Sequence, residues 1–296
     1  MNSDESKLLA EISEYVVTDH LEKSFEHLLN RMNLATSGPV DSYGRSIWVS
    51  GFYGSGKSSF TKYLGFALDQ NKMLNGKSFL IHLQDRLCND STKALLNVVS
   101  KNLNPHVVFL DRASEMSVGG EMLDISSVLR NKVLRDCGYS DDIKVAELEL
   151  MLDRDGKFEE FKKAAKKDLK GTSWEDVHDE PLISNTVCDS LARKFYPNIW
   201  QNKGEFANIR ITRSTSERVQ EIIDLVKRKS GKNNIIFILD DVGEYIGTSG
   251  DGAYRFQLLV ELLIDIGKGS VWLFATSQEY LRIAGKFSIN VHLESR

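Results

Sequence analysis

Apolar residues recur along this chain with two periods, and stretches of the two periods alternate. Recurrence at every third or fourth residue predicts helices at 17–32, 59–67, 92–103, 217–229 and 254–266. Short β-rich or apolar runs predict strands at 45–50, 78–83, 107–110, 234–239, 270–275 and 289–293. Because parallel neighbouring strands need a crossover connection, this alternation favours an α/β fold, with a parallel β-sheet flanked by helices on both faces.

The pattern between residues 114 and 216 differs from that of its surroundings. It is charged, and helices are predicted there at 126–137, 145–153, 157–169 and 181–195. Near the start of the chain, Thr18 is the predicted N-cap of the first helix, and a loop rich in Gly, Pro, Ser and Asp follows at 35–44. These changes predict an N-terminal helix and linker at 1–44, a core in two parts at 45–113 and 217–296, and a mainly helical insertion at 114–216.

The strand predicted at 45–50 runs directly into GFYGSGKS, which fits the pattern GxxxxGK[ST] between a strand and a helix. Glycines let successive backbone N–H groups point at a phosphate, and the following helix presents the positive end of its dipole. The predicted ATP-binding residues are Gly51, Phe52, Tyr53, Gly54, Ser55, Gly56, Lys57, Ser58 and Ser59. We expect Lys57 to contact the β- and γ-phosphates and the Ser58 hydroxyl to bind Mg²⁺.

Two acidic residues follow the apolar strand predicted at 234–239. Asp240 stands where a P-loop ATPase has its magnesium-side carboxylate. Asp241 stands where many such enzymes have a glutamate that orients the attacking water. Because aspartate is one methylene shorter, Glu244 is the alternative for this catalytic role. The competing interpretation is that the two acids end a strand and bind nothing.

A third set of polar residues ends the strand predicted at 270–275. Thr276, Ser277 and Gln278 are expected to lie beside both motifs and to sense the γ-phosphate. Ordinary turn chemistry is the competing explanation, since Ser and Thr are common after strands.

Bulk properties restrict the partners and the compartment. The formal net charge of -4 gives no general attraction to a nucleic-acid backbone, so any DNA contact must be local or made by a partner. Cys88, Cys137 and Cys188 are widely spaced and form no CxxC pair, which predicts a reducing cytoplasm and no structural zinc. The N-terminus lacks a secretory pattern, and no apolar run approaches the ~20 residues that cross a bilayer.

Basic residues support two further hypotheses. The candidates for an arginine finger, which would stabilise charge on a neighbouring subunit's γ-phosphate, are Arg210, Arg213, Arg218 and Arg282. The alternative for each of these residues is an ordinary surface arginine with no catalytic role. A lysine-rich run at 162–170 could touch DNA, but Glu159 and Glu160 lie at pairing distance, which favours a solvated helix face.

Four segments together carry a family resemblance: EYVVT at 14–18, WVSGFYGSGKS at 48–58, DDVGEYIG at 240–247 and VWLFATSQE at 271–279. In these segments the chain resembles the P-loop ATPases of BREX phage-defence systems, the BrxC family with the related PglY. The resemblance implies an AAA+-like P-loop NTPase fold. It also implies a role in a prokaryotic complex, with a methyltransferase and a phosphatase-like protein, that protects host DNA and blocks phage replication.

Members of that family are much longer, so this chain is expected to be an N-terminal ATPase portion. The leading hypothesis is an ATPase whose hydrolysis drives or gates assembly of the defence complex on DNA. The alternative is a nucleotide-dependent switch or scaffold with negligible turnover, which Asp241 in place of glutamate favours. A small-molecule P-loop kinase is a third class, but no acceptor pocket or arginine-bearing lid is recognisable. Direct DNA contact and homo-oligomer formation stay open.

Overall fold

The structure is a computed structural model that describes residues 3–37, 42–111, 124–246, 250–278 and 287–293. The chain forms two compact units. The first unit comprises Met1–Val128 and Val219–Arg296, and the second comprises Leu129–Arg218. The bounds predicted for the insertion, 114–216, stay a prediction.

Helices and strands alternate through most of the described chain. The helices are α1 (Ser3–Ser13), α2 (Asp19–Ser37), α3 (Lys57–Leu68), α4 (Phe79–Gln84), α5 (Asp90–Leu103), α6 (Ile125–Asp136), α7 (Ile143–Arg154), α8 (Phe158–Asp168), α9 (Pro181–Phe195), α10 (Thr215–Ser230), α11 (Gly243–Ile246) and α12 (Gly250–Gly267). The strands are β1 (Ser46–Gly51), β2 (Met73–Leu74), β3 (Lys77–Ser78), β4 (His106–Leu110), β5 (Ile235–Leu239), β6 (Val271–Ser277) and β7 (Ile289–Leu293). None of the described helices has the length and hydropathy that a bilayer-spanning segment needs.

Five parallel strands form the central sheet of the first unit, in the order β4-β5-β6-β1-β7. The predicted α/β fold with a parallel sheet is therefore confirmed. β6 pairs with β1 on one side and with β5 on the other. This order brings the carboxyl ends of three strands together: the strand before the glycine-rich segment, the strand before Asp240, and the strand that contains Thr276.

Side chains alternate along the strands and pack against helices on both faces of the sheet. On one face, Val49, Ile238 and Phe274 share a core with residues of α2, α3 and α5. On the other face, the ring of Trp48 meets that of Phe287 at a centroid distance of 5.1 Å, and Phe287 stacks on a phenylalanine of α12. The helix α3, which follows the glycine-rich segment, therefore covers one defined face of the sheet.

The sequence near the start of the chain predicts only part of the structure that is found there. Thr18 is confirmed as a capping residue, since its Oγ1 accepts a hydrogen bond from the amide of Leu21 at 3.3 Å. The preceding helix α1 was not predicted. Among the α1 side chains whose burial the structure describes, only Ile12 is fully buried, so the sequence of this helix carries little apolar periodicity.

The strand predicted at 78–83 is wrong, because residues 79–83 belong to helix α4 and only Ser78 lies in a strand, the two-residue β3. A strand would place Phe79, Ile81 and Leu83 on one face, but Ile81 is 41% exposed while the other two are buried. The helical spacing of four residues instead puts Phe79 and Leu83 together on the buried side. A short apolar run of this kind fits either period, so the sequence alone could not decide between them.

The second unit has its own apolar core, built from residues of α7, α8 and α9 around Trp174. Glu149 is fully buried there and accepts hydrogen bonds from the indole N–H of Trp174 and the amide of Ser140, both at 2.7 Å. The imidazole Nδ1 of His178 lies 3.1 Å from the same carboxylate. A charged group is thus part of this core, and three polar groups stabilise it.

Arg213, one of the arginine-finger candidates, pairs with the Glu147 carboxylate of the second unit through both Nη atoms. Arg130 pairs with the same carboxylate at 2.5 Å. In this arrangement the Arg213 guanidinium is bound within its own unit. Arg282 lies outside the described residues.

Candidate functional site

The segment from residue 51 to 58, here called the glycine loop, connects β1 to α3. Gly56 caps α3 with a φ of 86°, a left-handed conformation that strains any residue carrying a Cβ. At Gly51 the restriction is steric, because a Cβ would lie 2.4 Å from the carbonyl oxygen of Leu293 in β7. Two of the motif's glycines are therefore required by the fold itself.

Lys57 is the first residue of α3, and its side chain folds back over the glycine loop. Its Nζ donates hydrogen bonds to the carbonyl oxygens of Gly51 and Phe52, both at 2.9 Å. Burial lowers the pKa of Lys57, while the charges of Asp241 and Asp240 act in the opposite direction. The ammonium is thus a fixed, partly desolvated positive charge at the loop.

A row of polar side chains, here called the strand-end row, crosses the carboxyl ends of three neighbouring strands. Its members are Asp111, Asp240 and Thr276. Each directly follows one of three residues that the sheet register aligns on β4, β5 and β6. The residues two positions earlier pack on the α3 side of the sheet and are Phe109, Ile238 and Phe274. Because side chains alternate along a strand, the row faces α3 and the glycine loop.

Hydrogen bonds connect the strand-end row to both motifs. The Thr276 hydroxyl donates to Asp240 Oδ1 at 2.5 Å and accepts from the amide of Asp241 at 2.9 Å. The Ser58 hydroxyl lies beside the Asp240 carboxylate in the same lining and lowers its pKa. The site residues predicted for three separate segments therefore meet at one buried carboxylate.

Asp240 is a carboxylate in an unfavourable environment. Burial raises its pKa most, the hydrogen bonds from Thr276 and Ser58 lower it, and the nearby charges of Asp111 and Asp241 raise it again. The net shift is upward. A cation close to Asp240 would favour its ionised form.

These elements surround one opening, here called the phosphate-loop cleft, of about 740 Å³. Its lining residues are Tyr53, Gly54, Gly56, Lys57, Ser58, Ser59, Asp111, Asp240, Asp241, Thr276 and Gln278. Among the other predicted residues, Gly51, Phe52 and Ser55 lie in the glycine loop but outside this lining, and Ser277 is buried at the end of β6. Glu244 belongs to α11, and its side chain lies outside the described part of the structure.

Asp241 differs from Asp240 in its backbone conformation. Its φ of 50° is left-handed, and its amide is held by Thr276. Its side chain is half-buried in the cleft lining. The two consecutive acids therefore differ in backbone conformation and in burial, and both line the cleft.

Sequence reasoning missed Asp111. It follows the apolar run HVVFL of β4 in the same way that Asp240 follows IIFIL of β5. That parallel was a usable signal, but only the strand order β4-β5 puts the two acids side by side.

A second opening, here called the side cleft, adjoins the first and has a volume of about 430 Å³. The two clefts share Ser58, Ser59, Asp111 and Asp240. The rest of the side cleft comes from α1, from the connection between α1 and α2, from α3 and from β4. Glu11 of α1 and Lys62 of α3 pair across it at 3.2 Å. The two acids of the strand-end row, with the two serines of α3, therefore separate the two openings.

The donors around Asp240 suit a cation that brings further ligands with it. Among the described residues, no three His, Cys, Asp or Glu side chains converge as ligands of one metal ion. Mg²⁺ is commonly bound by one or two carboxylates and completes its shell with water and substrate phosphate oxygens. Ser58 and Asp240 fit such a Mg²⁺ site, in which the protein supplies few of the ligands.

No known protein-family model matches the sequence. The parallel sheet with its flanking helices fits a Rossmann-like or a P-loop fold.

Proposed function

We propose that the first unit is an AAA+-like P-loop ATPase, which binds magnesium ATP in the phosphate-loop cleft and hydrolyses it. One observation carries this proposal: the Ser58 hydroxyl, next to the Lys57 ammonium on the glycine loop, lies beside the buried Asp240 at the end of another strand. A glycine turn or two strand-ending acids would not require this junction. Magnesium triphosphate binding does require it, because the ammonium contacts phosphate while the hydroxyl and the carboxylate bind the cation.

The cleft fits such a ligand in size and in shape. Its volume of about 740 Å³ lies within the range of roughly 300–1,000 Å³ that is usual for small-molecule sites. A Cβ on Gly54 or Gly56 would meet no atom within 4 Å, so the cleft beside these residues is open to a ligand. The N-terminus of α3 adds the positive end of its dipole.

The charges of the lining favour a metal-bound nucleotide over a free one. Asp111, Asp240 and Asp241 line the cleft and would repel a bare triphosphate, while Lys57 offers one positive charge. When bound, Mg²⁺ would supply the charge that offsets both the carboxylates and the phosphate oxygens. ATP binding is therefore expected to depend strongly on the divalent cation.

For hydrolysis we assign the proton-accepting role to Asp241, with Glu244 as the alternative. Asp241 lines the cleft, and its backbone is fixed by the Thr276 hydroxyl, so its carboxylate can orient a water molecule near the loop. Thr276 contacts both acids and so couples their positions. Gln278, exposed at the end of β6, is the candidate for contact with the γ-phosphate.

A nucleotide-dependent switch with negligible turnover is the second candidate. The residue that favours it is Asp241, whose side chain is one methylene shorter than the glutamate usual in ATPases. Both candidates predict binding, so phosphate release under saturating magnesium ATP separates them. Turnover abolished by Asp241→Asn with binding retained would support the ATPase and exclude the switch.

The family resemblance supports the biological part of the proposal. On that basis we propose that the ATPase acts in the cytoplasm, in a BREX-type defence complex with a methyltransferase and a phosphatase-like protein. Co-purification of these two proteins with the wild-type chain, and its loss in Lys57→Ala, would support this role. Addition of DNA, and the mass of the complex, would show whether DNA binds directly and whether the chain forms homo-oligomers.

The binding proposal is tested by calorimetry with magnesium ATP. Lys57→Ala should weaken binding at least about 10-fold, since a hydrogen bond to a charged group is worth about 1.5–3 kcal/mol. Lys77→Ala removes an exposed lysine of the same unit and should bind as wild type. An absence of binding heat for the wild-type chain at millimolar nucleotide would overturn the proposed function.

A further inference from the structure

We propose that Asp111 is a second carboxylate of the divalent-cation site, beside Asp240. This inference rests on the proposed nucleotide function and deepens it. It assigns a role to a residue at the end of β4, a strand separate from both sequence motifs.

The register of the sheet places the two acids next to each other. Leu110 of β4 is aligned with Leu239 of β5, and the amide of Asp240 donates to the carbonyl of Leu110 at 3.0 Å. Asp111 and Asp240 follow these aligned residues directly. Adjacent strands lie about 4.8 Å apart, so a single cation can be shared by two carboxylates that point the same way.

The alternation of side chains gives both acids that common direction. Phe109 and Ile238 pack on the α3 side of the sheet, so Asp111 and Asp240 emerge on the same side. Ser58, at the start of α3, faces them there. The two carboxylates and the hydroxyl together line both the phosphate-loop cleft and the side cleft.

Two like charges on one side of neighbouring strands repel each other. A divalent cation bound near both would turn this repulsion into attraction. Asp241 is not part of this row, because it lies one residue beyond Asp240 and has a left-handed φ of 50°. Two carboxylates, one hydroxyl, phosphate oxygens and water also form the donor set that Mg²⁺ prefers, and they require no third acidic ligand.

The test is the Mg²⁺ dependence of ATP binding by the wild-type chain, Asp111→Asn and Asp265→Asn. Asp111→Asn should raise the Mg²⁺ concentration at half-saturation by about 10- to 100-fold, as is typical when a supporting metal contact is lost. In EDTA the same variant should bind metal-free ATP as well as wild type or more tightly, because one repelling charge is gone. Asp265, exposed on α12 in the same unit, is the matched control and should change neither value.

A structural role for Asp111 would give a different result. Asp111→Asn would then weaken ATP binding equally with and without Mg²⁺, and the inference would be overturned. Asp111→Glu, which keeps the carboxylate, should retain most of the Mg²⁺ dependence and serves if the asparagine variant is poorly folded. The electron paramagnetic resonance spectrum of bound Mn²⁺ with ATP should differ between wild type and Asp111→Asn.

The two proposals can fail separately. If the wild-type chain binds magnesium ATP and Asp111→Asn shows the same Mg²⁺ dependence, only the role of Asp111 is excluded. If the wild-type chain binds no nucleotide at all, the proposed function and this inference are both excluded.

Discussion

At the scale of single residues, Thr276 shows how one hydroxyl can organise a site. It is almost fully buried, donates to Asp240 and accepts from the amide of Asp241. Valine has a similar shape but no hydroxyl, so it would leave a buried carboxylate and a backbone amide without this partner.

Thr276→Val is therefore expected to lower the free energy of unfolding by about 1–3 kcal/mol, the usual cost of a buried polar group that loses its hydrogen bond. Thr276→Ser keeps the hydroxyl and should fall close to wild type. Urea denaturation of both variants measures the difference. Equal stability of the valine and serine variants would show that the hydrogen bonds of Thr276 contribute nothing measurable.

His178 in the second unit gives a pH-dependent prediction. Its hydrogen bond with Glu149 raises the pKa of the imidazole above its ordinary value, and the charges of Glu149, Asp179 and Glu175 add to this effect against the cost of burial. Because the folded-state pKa is raised, the stabilisation is fully present below the unfolded value of about 6.5 and is lost as the pH rises through the higher folded value.

The stability lost in His178→Gln should therefore be larger at pH 5.5 than at pH 9. Urea denaturation of wild type and variant at the two pH values measures it, and an NMR titration of His178 gives its pKa directly. A difference in stability that grows as the pH rises would contradict the assigned pairing with Glu149.

At the scale of helices and strands, a buried ion pair connects loops at the amino ends of the strands, opposite the glycine loop. Lys232, just before β5, donates to Asp69 Oδ1 at 2.7 Å and to the carbonyl of Pro105 at 2.9 Å. Asp69 follows the last residue of α3, and Pro105 precedes β4. One ammonium thus joins the end of α3 to the beginnings of two strands.

Lys232→Met should lower the free energy of unfolding by about 3–5 kcal/mol, because it leaves Asp69 charged and buried without its partner. Lys101→Met, at an exposed position of α5, is the control and should have little effect. In a double variant that also carries Asp69→Leu, the loss should be smaller than in Lys232→Met alone. A double variant less stable than Lys232→Met would count against this explanation.

An element could be predicted from the sequence when the residues that it buries recur at a regular spacing. The sheet strands and the long amphipathic helices bury a regular set of apolar residues, so their period is visible in the sequence. Helix α4 has only six residues, too few to distinguish its period from that of a strand. For the site, the glycine loop and Asp240 were predictable as motifs. Asp111 and the bond from Thr276 to Asp240 depend on strand order and register, which no local pattern contains.

At the scale of the whole molecule, the described residues that line the phosphate-loop cleft all belong to the first unit. The lining comes from sequence segments on either side of the second unit along the chain, from Tyr53 to Gln278. Ligand binding should therefore stabilise distant parts of the sequence together, since anything that binds the folded state alone shifts the opening equilibria of the residues it contacts.

Hydrogen exchange followed by mass spectrometry tests this expectation. With saturating magnesium ATP, amides of the glycine loop, of residues 240–242 and of residues 276–278 should exchange more slowly, because the ligand must leave before they open. Helices α7, α8 and α9, which contribute no residue to the cleft lining, should exchange as in the free chain. Lys57→Ala under the same conditions should show no such slowing at the nucleotide concentration that protects wild type. Slowing confined to α7–α9, with the glycine loop unchanged, would place the ligand elsewhere and would exclude the site on which the proposed function depends.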